Sequence, residues 1–307
     1  MADFDIAGAT VLITGGNTGI GKETAIDLAR RGARVVFTSR DAARGDEALA
    51  EIREASGRDD VRCLPLDLAD LESVRRCAAR FLEDEPRLDV LVANAGINLV
   101  RGARQLSKQG HELHFAVNHL GHMLLTELLL ERMKACAPAR VVSLSSHAYM
   151  MCPDGLRFDD LQMESDYRAF QCYGHSKLAN ILWTVELAER LAGTGVTVNA
   201  VHPGYVKTEL GRWRPEDKET FVAEVSPPAS ATKKKREGPD LSNLPPPVSA
   251  AEGASTSLYV ATSRELDGVS GRYFADSAAC DLQPHASDAA AAKRLWEVST
   301  ALIEASE

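Results

Sequence analysis

Apolar runs of strand length alternate along this chain with segments whose apolar residues recur every three to four positions. ATVLIT (9–14) reads as a strand and IGKETAIDLARRG (20–32) as a helix stopped at Gly32. ARVVFTS (33–39) and ARGDEALAEIREASG (43–57) repeat the pair. The strand VRCLPLD (61–67), the helix LESVRRCAARFLE (71–83) and the strand LDVLVANAG (88–96) continue it. A long helix is predicted from about 109 to 135, then the strand ARVVSLSS (139–146), a helix carrying YGHSK (173–177) and the strand VTVNAVHPG (196–204). GRYFAD (271–276) is a last strand and 287–304 a final helix.

Strands that are β-branched and lack polar alternation are covered on both faces, which predicts a parallel sheet between helical layers. Right-handed crossovers then favour a doubly wound, Rossmann-type α/β sheet of about seven strands, in one domain over 1–307. Residues 212–250 depart from this texture. They are rich in Pro, Ser and charge and read as a long mobile loop. Their KKKR (233–236) reads as a solvated charge cluster in preference to a targeting or anion-binding patch.

Composition narrows the function classes. The chain has 307 residues, 45% hydrophobic and 26% charged, enough for a large globular core. A net charge of −9 argues against nucleic acid or anionic lipid as the main partner. Six cysteines are scattered without a CxxC pair, which suits reduced, mostly buried thiols in a reducing compartment. MADFDIAGATVLIT does not have the pattern of a signal peptide, and no run approaches the ~20 apolar residues of a membrane helix. The expectation is a cytoplasmic protein with no integral membrane segment.

Candidate chemistry begins at TGGNTGIG (14–21), between the first strand and the first helix. Glycines there allow a tight turn and let a phosphate approach backbone N–H groups at a helix N-terminus. The spacing Gly15-x3-Gly19-x-Gly21 is not GxGxxG, and a plain strand-to-helix turn is the alternative. The second strand ends in Thr38-Ser39-Arg40, followed by Asp41. An arginine at that strand end suits a ribose 2′-phosphate, so the reading is NADP(H), with NAD(H) as the second choice. The competing reading of Arg40 is a surface arginine. Tyr173 and Lys177 lie at i and i+4, one turn apart on one helix face. A lysine charge there would lower the tyrosine pKa, while an ordinary pair on a wet face is the bland alternative.

Two other constellations are set aside. His111, His114, His119 and His122 form two i, i+3 pairs about 12 Å apart along a helix axis, too far for one ion to use both. Hydrogen-bonding histidines and no metal are expected. Ser146-His147 lacks a GxSxG elbow, which argues against a hydrolase, and Cys172 reads as a buried structural thiol.

TGGNTGIG, Asp67-Leu68, ANAG (93–96), Asn118, LSS (144–146), YGHSK and HPGYVKT (202–208) occur in one order. Together they resemble the short-chain dehydrogenase/reductase family over roughly residues 8–210, with a weaker tail to 305. HFAVNHLGHMLLTELLL (114–130), FDDLQMESDY (158–167) and YGHSKLAN (173–180) are similar to its retinol dehydrogenase-like branch, which includes WW-domain oxidoreductases and protochlorophyllide reductases. The membrane anchor of many animal members is not carried over.

The resemblance implies an NADP(H)-dependent oxidoreductase that interconverts a carbonyl and an alcohol on a small, lipophilic substrate. Tyr173 would be the acid that protonates the substrate oxygen. Lys177 would favour its phenolate and hold the nicotinamide ribose. Ser146, the second of the serine pair, would polarise the carbonyl, and Asn118 would hold a water of a proton relay. Thr14, Gly15, Asn17, Thr18, Gly19, Ile20 and Gly21 would line the pyrophosphate. Ser39 and Arg40 would face the adenosine ribose, and Asp67 and Leu68 the adenine. Asn94, Ala95, Gly96, Pro203, Gly204, Val206 and Thr208 would complete the cofactor pocket. Residues 153–168 would wall the substrate cleft. A homodimer through the helices around 109–135 and 173–192 is the partner the family suggests. The alternatives are a non-catalytic NADP(H)-binding sensor or scaffold and, further off, a protochlorophyllide-reductase-like enzyme.

Overall fold

Residues 5–99, 103–208, 210 and 246–306 are described by a computed structural model. The chain runs β1 (Thr10–Ile13), α1 (Gly19–Arg30), β2 (Arg34–Ser39), α2 (Ala42–Ser56), β3 (Arg62–Pro65), α3 (Leu71–Asp84) and β4 (Val90–Ala93). A short α4 (Leu113–Phe115) passes through a π-helical turn (Ala116–Leu120) into α5 (Gly121–Ala135). Then come β5 (Ala139–Leu144), α6 (Ala169–Arg190), β6 (Val196–His202), α7 (Ala250–Thr262), β7 (Tyr273–Ala275), β8 (Ala278–Cys280) and α8 (Ala289–Glu304).

The sheet order is β3-β2-β1-β4-β5-β6-β7-β8. The first seven strands are parallel, and β8 pairs antiparallel to β7 in the register Phe274↔Ala279. Among the described residues the sheet thus holds the expected seven parallel strands and one added antiparallel edge strand. The added strand, Ala-Ala-Cys, has neither the length nor the branching that marks a strand in sequence. It turns back through Asp276 and Ser277 at φ 49° and 57°.

Strand side chains alternate between two cores. Val11, Ile13, Val90 and Val92 point to the layer of α1, α2 and α7, while Leu12 and Leu91 point to the layer of α3, α5, α6 and α8. Both faces being covered is why the strand sequences carry unbroken apolar runs. Local chemistry sets the helix ends. Asp41, Asp70 and Asp288 accept backbone N–H bonds at the starts of α2, α3 and α8, and Gly57 closes α2 at φ 69°.

Three expectations are corrected. The long helix starts at Leu113 rather than near 109, because Ser107–His111 closes a turn (Ser107 N to His111 O, 2.7 Å) with Gly110 at φ 85°. Its middle is π-helical, not regular α. The loop expected over 212–250 lies outside the described residues up to 245, KKKR included. Its end is structured: Val248 bridges Val206, and Ser249 and Glu252 form a reciprocal capping box that starts α7. The helix α7 has no counterpart among the predicted elements.

The last helix, α8, lies across α6 and the π-turn. The Arg190 guanidinium stacks 4.2 Å from the Trp296 ring, and His119 Nε2 meets Ser299 Oγ at 2.8 Å. Leu295 and Ile303 are buried there.

Candidate functional site

The strand order reverses between β1 and β4, which opens a crevice at the carboxyl ends of the strands. The glycine turn borders it. Gly16 donates to Thr38 O (3.1 Å) and Gly15 to Thr38 Oγ1 (3.2 Å), which draws the turn onto the end of β2. A Cβ on Gly16 would stand 2.5 Å from Phe37 Cβ, and one on Gly21 would stand 2.4 Å from Asn94 Nδ2 and 2.5 Å from Gly15 O. Close packing therefore excludes side chains at both positions. Thr18 is an extended N-cap whose side chain makes no capping bond, and the first turn of α1 holds no acid. Neither a capping side chain nor a carboxylate competes for the first N–H groups of α1, so they suit a phosphate. Asn17 and Ile20 are half-buried beside them.

Elements distant in sequence converge on this turn. Asn94 Nδ2 donates to Thr14 O at 2.8 Å and Gly15 O at 3.3 Å. The backbone N–H groups of Asn94 and Ala95 donate to Thr14 Oγ1 at 2.9 and 3.0 Å. Beyond β6, Pro203 and Gly204 (φ 86°) lead into Val206, which packs against α7 at Gly253. Thr208 Cγ2 lies 3.4 Å from where a Gly19 Cβ would be.

At the end of β2, Ser39 Oγ donates to Asp41 O (2.7 Å), and Arg40 is exposed. The Asp41 carboxylate accepts from Arg44 N at 3.0 Å. Asp67 Oδ1 accepts from Ala69 N, and Leu68 is buried under the start of α5.

On the other side of the crevice, Gly96 sits against Asn118 and Lys177. Its Cβ would meet Asn118 Oδ1 at 3.2 Å and Lys177 Nζ at 3.6 Å. Asn118 Oδ1 accepts from Ile97 N (2.8 Å), while its Nδ2 donates to Ile97 O (3.0 Å) and Ser176 Oγ (2.8 Å). Lys177 Nζ donates to Leu144 O at 2.9 Å and lies 5.7 Å from the Tyr173 ring centre. Tyr173 and Lys177 are both buried. Ser146 stands beside Tyr173 and its Oγ accepts from Ala148 N (3.2 Å), whereas Ser145 is buried and donates to Lys177 O at 2.7 Å. The pair expected on α6, Ser146, Asn118 and Gly96 thus come together.

The electrostatics run opposite to the expectation for the tyrosine–lysine pair. Burial pushes the Tyr173 phenol up to about 12, against the lowering effect of nearby Ser146, and brings the Lys177 ammonium down to about 7. Desolvation is the first cause for both groups.

Sequence reading passed over some of the partners. Ser176 anchors Asn118, and His122 links Thr14 Oγ1 (2.8 Å) to Asn118 O (3.1 Å). The i, i+4 spacing of Asn118 and His122 was the available signal. The other histidines of that stretch are hydrogen-bonded: His111 to Ser306, His119 to Ser299, and His114 to Glu112 Oε1 (2.7 Å) and Leu99 N (2.9 Å). Glu112, His114 and Cys172 lie within 4.8 Å of one another, but these bonds occupy both His114 nitrogens, and Phe115 N takes the second Glu112 oxygen. Burial raises the Cys172 thiol, as suits a structural cysteine. The segment expected to wall the substrate cleft is pinned through Gln162, which accepts from Arg104 Nε (2.7 Å) and Glu112 N (2.7 Å).

The chain matches the family model for short chain dehydrogenases over residues 9–156 and 161–219. It is 44% identical over 303 residues to retinol dehydrogenase 12 of Mus musculus, covering 98% of this chain and 88% of that one. It is also 44% identical to retinol dehydrogenase 14 of Homo sapiens, covering 96% and 86%. An uncharacterised protein from Mycobacterium paratuberculosis has the same fold at 31% identity and TM-score 0.72, covering 99% and 98%. A short chain dehydrogenase from Burkholderia cenocepacia, solved in complex with NADP, aligns at 27% identity and TM-score 0.64, covering 89% and 97%. With the crevice, the glycine turn and the Tyr173–Lys177 pair in place, these matches show that the chain is an oxidoreductase belonging to the short-chain dehydrogenase/reductase family, in its retinol dehydrogenase-like branch.

Proposed function

We propose that this chain is an NADP(H)-dependent oxidoreductase that interconverts a carbonyl and an alcohol on a lipophilic substrate, with Tyr173 as general acid and base. The observation that carries the reading is the buried Tyr173–Lys177 pair, with Ser146 beside the phenol and Lys177 beside Gly96 and Asn118. A bound nicotinamide supplies or accepts the hydride. The chain's own residues handle the proton. A phenol raised to about 12 is protonated at neutral pH, as an acid that protonates a carbonyl oxygen must be. Ser146, half-exposed beside it, polarises that oxygen. Lys177, near its own midpoint at neutral pH, is placed to reprotonate Tyr173, and Asn118 holds the π-turn next to it.

Preference for NADP(H) rests on the end of β2. Arg40 is exposed there, Arg44 follows in the first turn of α2, and the nearby Asp41 carboxylate is engaged as the α2 cap. An acid free to bind a ribose 2′-hydroxyl is what NAD(H) would ask for. A lipophilic substrate is supported by the retinol dehydrogenases that the chain resembles. Six free thiols support a reducing, cytoplasmic setting, which fractionation of tagged protein would check.

The test is loss of reduced nicotinamide absorbance with retinal, aliphatic aldehydes, steroids and quinones, using NADPH and NADH in parallel. Tyr173→Phe is expected to abolish turnover while NADPH still binds; substantial residual turnover would remove Tyr173 from the acid's role. Arg40→Asp is expected to move the NADPH:NADH ratio by about tenfold toward NADH, the scale of one charge-assisted contact. An unchanged ratio would reject that assignment. NADPH binding without turnover on the whole panel would favour a sensor.

A further inference from the structure

His122 has no part in the proton chemistry above, yet its imidazole sits fully enclosed at the centre of the site's scaffold. The hydrogen bonds around it decide its tautomer. Nδ1 lies 3.1 Å from Asn118 O, a carbonyl that can only accept, so Nδ1 carries a proton. Nε2 lies 2.8 Å from Thr14 Oγ1. Thr14 Oγ1 already accepts two backbone N–H groups, from Asn94 at 2.9 Å and Ala95 at 3.0 Å. Both of its lone pairs are then used, and its own proton goes to Nε2. The opposite tautomer fails on each count. It would ask Thr14 Oγ1 to accept a third proton, leave the hydroxyl only Val92 O at 3.5 Å, and set a bare nitrogen against the Asn118 carbonyl.

We infer that His122 is a positioning residue, held as the neutral Nδ1–H tautomer, that locks the glycine turn after β1 and the ANAG turn after β4 to the π-turn carrying Asn118. One ring thereby fixes three segments that are far apart in sequence. Thr14 is 108 residues from His122 and 80 from Asn94. The turn after β4 also carries Gly96, the contact point of Asn118 and Lys177. An imidazolium would lose the acceptor that Thr14 requires. Burial and the nearby Lys177 both oppose protonation, and the neighbouring His119 is buried and held low as well.

Two experiments test the inference, and only the second depends on the cofactor reading. In the unaltered full chain labelled with ¹⁵N-histidine, two-bond ¹H–¹⁵N spectra at pH 7 are expected to show His122 with Nδ1 protonated and Nε2 bare. Its signal is the one missing from the His122→Gln spectrum. A protonated Nε2, alone or in an imidazolium, would overturn the inference.

The second measurement is the NADPH dissociation constant by fluorescence, with melting curves beside it. His122→Phe is expected to weaken NADPH by about tenfold, the scale of one lost buried hydrogen bond, and Thr14→Val by more, because it also strips the acceptor from Asn94 N and Ala95 N. The double variant should be no weaker than the worse single one, because both remove the same link. His122→Gln offers a carbonyl to the Thr14 hydroxyl and should recover most of the affinity. Unchanged affinity in His122→Phe, or losses that multiply in the double variant, would overturn the inference. Should the unaltered chain bind neither NADPH nor NADH, the cofactor reading fails, and the tautomer spectrum alone decides the role of His122.

Discussion

Tyr173 and Lys177 stand one turn apart on α6, and their burial has an energetic cost that can be measured. Lys177 ionises near 7 in the fold and near 10.4 in an unfolded chain. Below pH 7 both forms carry the proton, and the native state bears the whole cost of a buried ammonium. Between about 7 and 10.4 the native chain is already neutral while the unfolded chain is still charged, so that cost fades as pH rises. In the chain free of cofactor, Lys177→Met should therefore melt higher than the unaltered protein at pH 6, by a few kcal/mol at about 1.4 kcal/mol per pKa unit. The gap should narrow toward pH 9. Thermal melts across that range check it, and a gap that grows with pH would contradict it. The i, i+4 spacing was legible as a string of letters. The direction of both pKa shifts was not, because desolvation depends on what packs over the side chains. Ser145 and Ser146 were likewise separated in sequence only by family pattern. In the fold the hydrogen bond of Ser145 to Lys177 O removes it from the crevice.

The junction of the π-turn and α5 shows how an element can be set by one close approach. Gly121 begins α5, and a Cβ there would stand 2.8 Å from Leu68 O and 2.9 Å from Leu68 Cδ2. Alanine would gain up to about 1 kcal/mol of helix propensity. The backbone oxygen it meets cannot swing aside as a side-chain tip could, and overpacking costs roughly 1–3 kcal/mol. Gly121→Ala should thus lower the urea midpoint and shift Leu68 away from its place at the end of β3. A raised midpoint would mean that α5 moves freely. Helix periodicity identified α5, but the π-turn ahead of it was invisible, since apolar spacing does not report a single widened turn. The reverse holds for α7. Its Ser249–Glu252 capping box was legible, but the Pro-rich stretch before it drew the loop boundary past it.

Across the whole molecule, α8 closes the layer of α3, α5 and α6. Its ties reach α6 through Arg190 and Trp296, the π-turn through His119 and Ser299, and the loop before α4 through His111 and Ser306. A dimer built on α5 and α6, the arrangement that the family suggested, would have to displace apolar residues of α8 already buried against that layer, Leu295 and Ile303 among them. Sedimentation velocity is therefore expected to find a monomer at micromolar concentration. A stable dimer would show that association uses another face or that α8 moves.

Local physics in the sequence determined the alternation of strands and helices, the parallel sheet covered on both faces, the turn glycines and the Tyr173–Lys177 spacing. Each is set by side-chain period or by sterics within a few residues. Tertiary structure alone decided which serine faces the crevice, where α8 lies, how burial divides protons between Tyr173 and Lys177, and that His122 meets Thr14. Those outcomes depend on desolvation and on partners up to 195 residues apart, which only the packed chain brings together.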